Sequence, residues 1–193
     1  MTNAEEKNNS FKVTFNMDIE ECRTALDRID PVVVDKLLDA ILSADKVFFV
    51  GVGRVLLSLQ AIAKRLSHLG IHTCYVGQIT EPAITENDLL IVGSGSGESL
   101  FPVAIAKKAK SIGAKIAHIG SNPESSLKDI TDVFVRIPVR TKLAFPDEID
   151  SVQPMTTLFE QSLLIFGDTL AAMIVQRKNI NIKSLWQYHA NLE

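Results

Sequence analysis

The stretch richest in groups able to do chemistry is Gly93-Ser94-Gly95-Ser96-Gly97-Glu98-Ser99. It follows a short apolar run, Leu89–Val92, and leads into a segment with helical spacing, so it is predicted to lie where a strand hands over to a helix. The first turn of a helix exposes unpaired amides and the positive end of the helix dipole, and both suit an anion. Glycines let the backbone approach such an anion closely, while the hydroxyls of Ser94, Ser96 and Ser99 add donors without adding charge. A phosphate monoester fits this chemistry. A Gly/Ser turn with capping serines and no ligand fits the same residues. Glu98 would repel a phosphate if it pointed inward, and is expected to face solvent beside the helix dipole.

A second cluster, Gly51-Val52-Gly53-Arg54, has the same placement after the apolar run Lys46–Val50. A dinucleotide fingerprint needs a third glycine where Leu56 stands. It also needs an acid at the end of the next strand, where Tyr75, Val76, Gly77 and Gln78 stand, so nicotinamide binding is not expected. Neither cluster continues into the Gly-Lys-Ser/Thr of a Walker loop. Arg54 opposes the dipole of the helix it starts, which asks for an anionic partner. That partner is either a ligand or a carboxylate such as Glu81 or Asp88.

The elements that position these loops follow from periodicity. Apolar residues recur at helical spacing from Ile19 to Ser43, interrupted by Pro31, which predicts two short helices or one kinked helix. Short apolar runs at Lys46–Val50, His72–Val76, Asp88–Val92, Lys115–Ile119 and Val133–Ile137 read as strands buried on both faces. Helices are predicted between them over 55–69, stopped at Gly70, and over 98–112, stopped near Gly113. This alternation predicts an α/β fold: one doubly wound, parallel, five-stranded sheet with helices on both faces. Residues 1–18 are expected to form a loose arm, and residues 19–193 a single domain. Residues 141–153 lack periodicity and read as an exposed, mobile loop. A long helix over 155–177 is apolar around most of its surface and must be buried on several sides, in part against another copy of the chain.

The chain has 193 residues, 22% of them charged, and a net charge of −3. No concentrated basic face is visible, which argues against a nucleic-acid partner. Lys107-Lys108-Ala109-Lys110 reads as the solvated side of a helix. The polar N-terminus lacks the apolar core of a signal peptide, and no unbroken apolar run reaches the roughly 18 residues needed to span a bilayer. Cys22 and Cys74 have no metal-ligand spacing and suggest a reduced, cytoplasmic setting. No cofactor or metal is expected.

The second glycine loop resembles the serine-rich phosphosugar loop of SIS (sugar isomerase) domains, and from about residue 20 onward the chain is similar to the 6-phospho-3-hexuloisomerase family. The matching stretches are Gly51–Arg54, Ala63-Lys-Arg-Leu-Ser-His-Leu-Gly70, Gly93–Ser99, Asn122-Pro-Glu-Ser-Ser126, Gln153-Pro-Met155 with Leu158-Phe-Glu-Gln161, and His189-Ala-Asn-Leu-Glu193. Two positions differ from the family pattern: Val55, where a serine is usual, and Gln78, where an acid is usual. The resemblance implies a flavodoxin-like fold and an isomerase joining D-arabino-hex-3-ulose 6-phosphate and fructose 6-phosphate through an enediol. It implies a sugar phosphate held by Gly53, Arg54, Ser94, Gly95, Ser96, Gly97 and Ser99, with Glu160 as base. It also implies a homodimer or homotetramer in which the tail, residues 180–193, brings His189 to a neighbour's site. Imidazole titrates near neutrality and could open a cyclic sugar or shuttle a proton. An isomerase of another sugar phosphate, or a phosphosugar sensor without catalysis, is compatible with the same resemblance.

Overall fold

The computed structural model describes residues 3–192, and the side chains of residues 10–192. Five strands form one sheet in the order β2-β1-β3-β4-β5. They are β1 (Val47–Val50), β2 (Thr73–Tyr75), β3 (Leu89–Gly93), β4 (Lys115–Gly120) and β5 (Val133–Arg136). Every pairing is parallel, with Val47 opposite both Thr73 and Leu89, Leu89 opposite Lys115, and Ala117 opposite Val133. This is the doubly wound order whose winding reverses between β1 and β3. The expected fold class is the one observed.

Period-2 alternation sorts the strands onto two cores. Val47, Phe49, Leu89, Ile91, Ala117 and Ile119 face a core shared with helices α1 (Asn3–Asp27), α2 (Pro31–Ser43), α3 (Gly53–Ser67) and α5 (Thr157–Arg177). Phe48, Val50, Leu90, Val92 and Ile116 face the other side, where α4 (Leu100–Ile112) packs through Ala106 and Ala109. The Pro31 break resolves into two helices. Asp30 caps α2 by accepting a 2.9 Å hydrogen bond from the Val32 amide, and Pro31 occupies the first helical position, where no amide is needed. α5 runs close against α3: a Cβ on Gly167 would lie 2.2 Å from Ile62, so only glycine permits this approach. In mean hydropathy α5 is long and apolar enough to cross a membrane, yet 56% of its apolar stretch is buried inside the domain, as in a core helix.

Two expectations are corrected. The supposed loose arm is helical from Asn3, continuous with the packed end of α1 at Cys22 and Ala25; Met1 and Thr2 lie outside the described residues. Phe11, Val13, Phe15, Met17 and Ile19 alternate at every second position, so they are spread around the helix and stay exposed. Residues 141–153 carry no helix or strand but are firmly tied. The Glu148 carboxylate accepts from Ser121 Oγ, Thr141 N, Thr141 Oγ1 and Phe145 N, and Glu21 of α1 accepts from Ser151, Val152 and Gln153. Two ion pairs, Arg136 with Asp147 and Arg140 with Asp150, close the strap.

Candidate active site

In open α/β sheets ligands bind beyond the carboxyl ends of the strands, at the point where strand order reverses. Here that point joins the loops after β1 and β3, the two glycine clusters. Between them lies a cleft of about 310 Å³ lined by Gly53, Arg54, Val55, Ser94, Gly95, Ser96, Ser99, Thr156 and Glu160, with Arg140, Thr141 and Lys142 closing one wall.

The serine loop is built to leave donors free. Ser94 is buried, and its hydroxyl accepts from the Gly97 amide at 3.1 Å and lies 3.4 Å from the Ser99 hydroxyl. Ser96 Oγ accepts from the Glu98 amide at 3.2 Å. Among the described residues, the amides of Gly95, Ser96 and Ser99 donate to no protein acceptor. Ser99 precedes α4, so the first amides of that helix join them. Gly97 lies under the loop rather than on the cleft wall. Its φ is +67°, and a Cβ there would lie 2.3 Å from Ser125 Cβ, so glycine is required on both counts.

The loop is braced from behind by residues whose individual purpose was not evident in the sequence. Gly95 O accepts from the amides of Ser121 and Asn122, and Asn122 Nδ2 donates to Ser96 O at 3.0 Å. Glu98 turns away from the cleft and accepts from the Ser126 amide and hydroxyl, and these hydrogen bonds hold its carboxyl below the usual range. His118, to which the sequence attaches no role, lies buried below the loop with Nε2 at 2.9 Å from Ser94 O. Burial pushes its pKa down to about 4, so the ring is neutral and Nε2–H donates to that carbonyl.

Glu160 sits in the first turn of α5 and is buried, at 7% exposure. One carboxylate oxygen accepts from Thr156 Oγ1 at 2.8 Å; the other accepts from Arg54 Nε in an ion pair. Ser58 Oγ of α3 donates to the Glu160 carbonyl at 3.0 Å, which locks the turn. The anion that Arg54 asks for is therefore Glu160. Of the two carboxylates suggested by sequence, Glu81 accepts from the Gly77 amide and Asp88 pairs with Lys46. The Arg54 side chain is 64% exposed and has room to turn toward a ligand.

A single SIS domain matches residues 40–166, spanning both glycine loops and Glu160. The chain belongs to the SIS domain family. The 3-hexulose-6-phosphate isomerase of Bacillus subtilis is 39% identical over 159 residues, covering 82% of this chain and 86% of its own. The Mycobacterium gastri enzyme of the same name is 36% identical over 200 residues and covers all of both chains. A Methanococcus jannaschii protein, 31% identical, superposes with a TM-score of 0.81 over 93% of this chain and 99% of its own; its crystal structure infers a molecular function of 3-hexulose-6-phosphate isomerase.

In this SIS domain the cleft brings together Gly53, Arg54, Ser94, Gly95, Ser96, Ser99 and Glu160, but not His189. That residue lies with Arg65, His68 and Trp186 around a separate surface pocket, its ring 5.5 Å from His68 and 5.3 Å from Trp186. His68 follows the far end of α3, about 20 Å from Gly53 at 1.5 Å per residue, so His189 lies well away from the cleft of its own chain. Val55 presents an apolar side chain to the SIS cleft, whereas Gln78 caps a turn by accepting from the Tyr75 amide and is not on the cleft wall. Arg140, Thr141 and Lys142 were missed. The signal that could have found them is their position just after β5, at the carboxyl edge of the sheet.

Proposed function

We propose that this cleft interconverts D-arabino-hex-3-ulose 6-phosphate and fructose 6-phosphate through an enediol spanning C2 and C3. The observation that carries this reading is that Glu160 and the serine loop face one cleft. An anchored phosphate and a carboxylate are then held on the same substrate, and binding energy from the distant phosphate orients the reacting carbons. Glu160 takes the proton from C2 of the hex-3-ulose, the electron pair moves into the C2–C3 bond, and the C3 oxygen becomes anionic. Returning the proton to C3, while a proton passes from O2 to O3, yields the 2-ketose. Arg54 beside the carboxylate can turn its guanidinium to the developing oxyanion. The free amides of Gly95, Ser96 and Ser99 and those at the start of α4 hold the phosphate.

The chain works as a cytoplasmic homodimer or homotetramer with shared sites in this reading. Exposed Phe11 and Phe15 on α1, and Leu164 and Ile165 on α5, support a self-association surface. The remoteness of His189 supports its delivery to the cleft of a second copy, where it opens the cyclic sugar. Free, buried Cys22 and Cys74 suit a reducing compartment.

Glu160→Gln tests the central role. Turnover is expected to fall by more than about a thousandfold while calorimetric binding of fructose 6-phosphate is retained. Unchanged turnover rejects Glu160 as the base.

A further inference from the structure

The strap between β5 and α5 places Arg140, Thr141 and Lys142 on the wall of the cleft. Its course is set by Glu148, whose carboxylate takes 2.9 Å bonds from Ser121 Oγ and Thr141 Oγ1 and 3.0 Å bonds from the amides of Thr141 and Phe145. Thr141 thereby lies beside the serine loop: a Cβ at Gly95 would make an ordinary van der Waals contact with Thr141 Cγ2, at 3.5 Å. Lys142 is the next residue and lines the same cleft, beside a neighbour fixed by two hydrogen bonds to Glu148.

Charge distribution gives that placement its meaning. Of the cations lining the cleft, Arg54 is paired with Glu160, and Arg140 is paired with Asp150 at 2.6 Å. Among the described residues, Lys142 has no carboxylate within ion-pair distance. The serine loop offers amides and hydroxyls but no full charge, so a phosphate dianion seated there would meet one uncompensated cation. A lysine ammonium is a compact point charge on a flexible stem and suits a phosphate oxygen arriving from solvent.

We propose that Lys142 is the cation that binds the substrate phosphate and selects phosphorylated over neutral sugars, with Glu148 as the residue that positions it. The inference rests on the phosphosugar reading of the cleft and goes beyond it by naming the counter-charge and its support.

Calorimetry with fructose 6-phosphate at low and high salt, together with steady-state kinetics, tests it. Lys142→Met is expected to raise Kd and KM about tenfold, equivalent to about 1.4 kcal/mol, with kcat far less affected. It should also flatten the salt dependence of Kd, because the lost contact is an exposed, screened one. Lys142→Arg should keep the salt dependence. Glu148→Gln, which loosens the strap but leaves the cation, should raise KM while preserving the salt slope. A Lys142→Met protein with wild-type Kd and salt slope, alongside a wild type that turns over, overturns the role of Lys142 and leaves the isomerase reading standing. A wild type that binds neither fructose 6-phosphate nor inorganic phosphate overturns both.

Discussion

Gly97→Ala separates the two constraints that shape the serine loop. At φ +67° an alanine pays the left-handed penalty, about 1–2 kcal/mol. Its Cβ would also stand 2.3 Å from Ser125 Cβ and 2.6 Å from Ser125 Oγ, well inside the ~3.5–4.0 Å of an ordinary carbon contact. Ser125 cannot retreat freely, because it is buried and its carbonyl accepts from the Lys128 amide at 2.9 Å. Overpacking of this kind costs about 1–3 kcal/mol. The central expectation is a loss of about 3 kcal/mol, or a fall in thermal midpoint of about 6–12 °C for a chain of this size. The loop should shift toward the cleft and raise KM for fructose 6-phosphate. A double-mutant cycle with Ser125→Gly divides the effect: that change removes both clashing atoms, so it should recover the steric part and leave the left-handed part. Thermal and urea unfolding of the four proteins provide the measurement. A Gly97→Ala midpoint within about 1 °C of wild type would show that the loop is neither strained nor tightly backed, and would refute the reasoning.

Two further outcomes are expected. His118, with its folded pKa near 4, lies below the unfolded value of about 6.5, so the unfolded chain binds the extra proton between these values and stability falls as pH is lowered through that window. Between pH 6.5 and 5 the loss is on the order of 2 kcal/mol; His118→Gln, which can still donate to Ser94 O, should lack it, and equal pH slopes for the two proteins would contradict the buried neutral ring. If sites are shared between copies, mixing inactive Glu160→Gln and His189→Ala chains after joint refolding should restore part of the turnover, whereas no recovery in a verified mixed oligomer would confine His189 to a structural role.

Much of the frame was legible because its causes are local. Apolar runs of strand length, broken by glycines and followed by helical spacing, place β1, β3 and β4 to within a residue or two. The Pro31 break and the stop at Gly113 follow from backbone chemistry alone. The strap over 141–153 was not legible. Its order comes from Glu148, Glu21 and two ion pairs, and such hydrogen bonds leave no periodic trace. The first turns of α1 escaped for the opposite reason: alternation at every second position does not resemble a helix, although the chain is helical there. His118 was unreadable as a brace because nothing in a strand sequence says which face a loop will fold over.

The residues of the serine loop, its position between a strand and a helix, and hence its suitability for an anion were determined by the sequence by itself, since amide exposure and glycine freedom are properties of a few adjacent residues. What only the tertiary structure decided is who else meets that loop. Arg54 and Glu160 are 106 residues apart and pair because α3 and α5 pack side by side on one face of the sheet. Lys142 reaches the cleft because Glu148 clamps the neighbouring Thr141 beside the serine loop. His189 is kept out of the cleft because α3 is a rigid rod with the cleft at one end and the tail at the other. Contacts of this kind depend on the order in which strands are laid down, and that order is set by the packing of the whole chain.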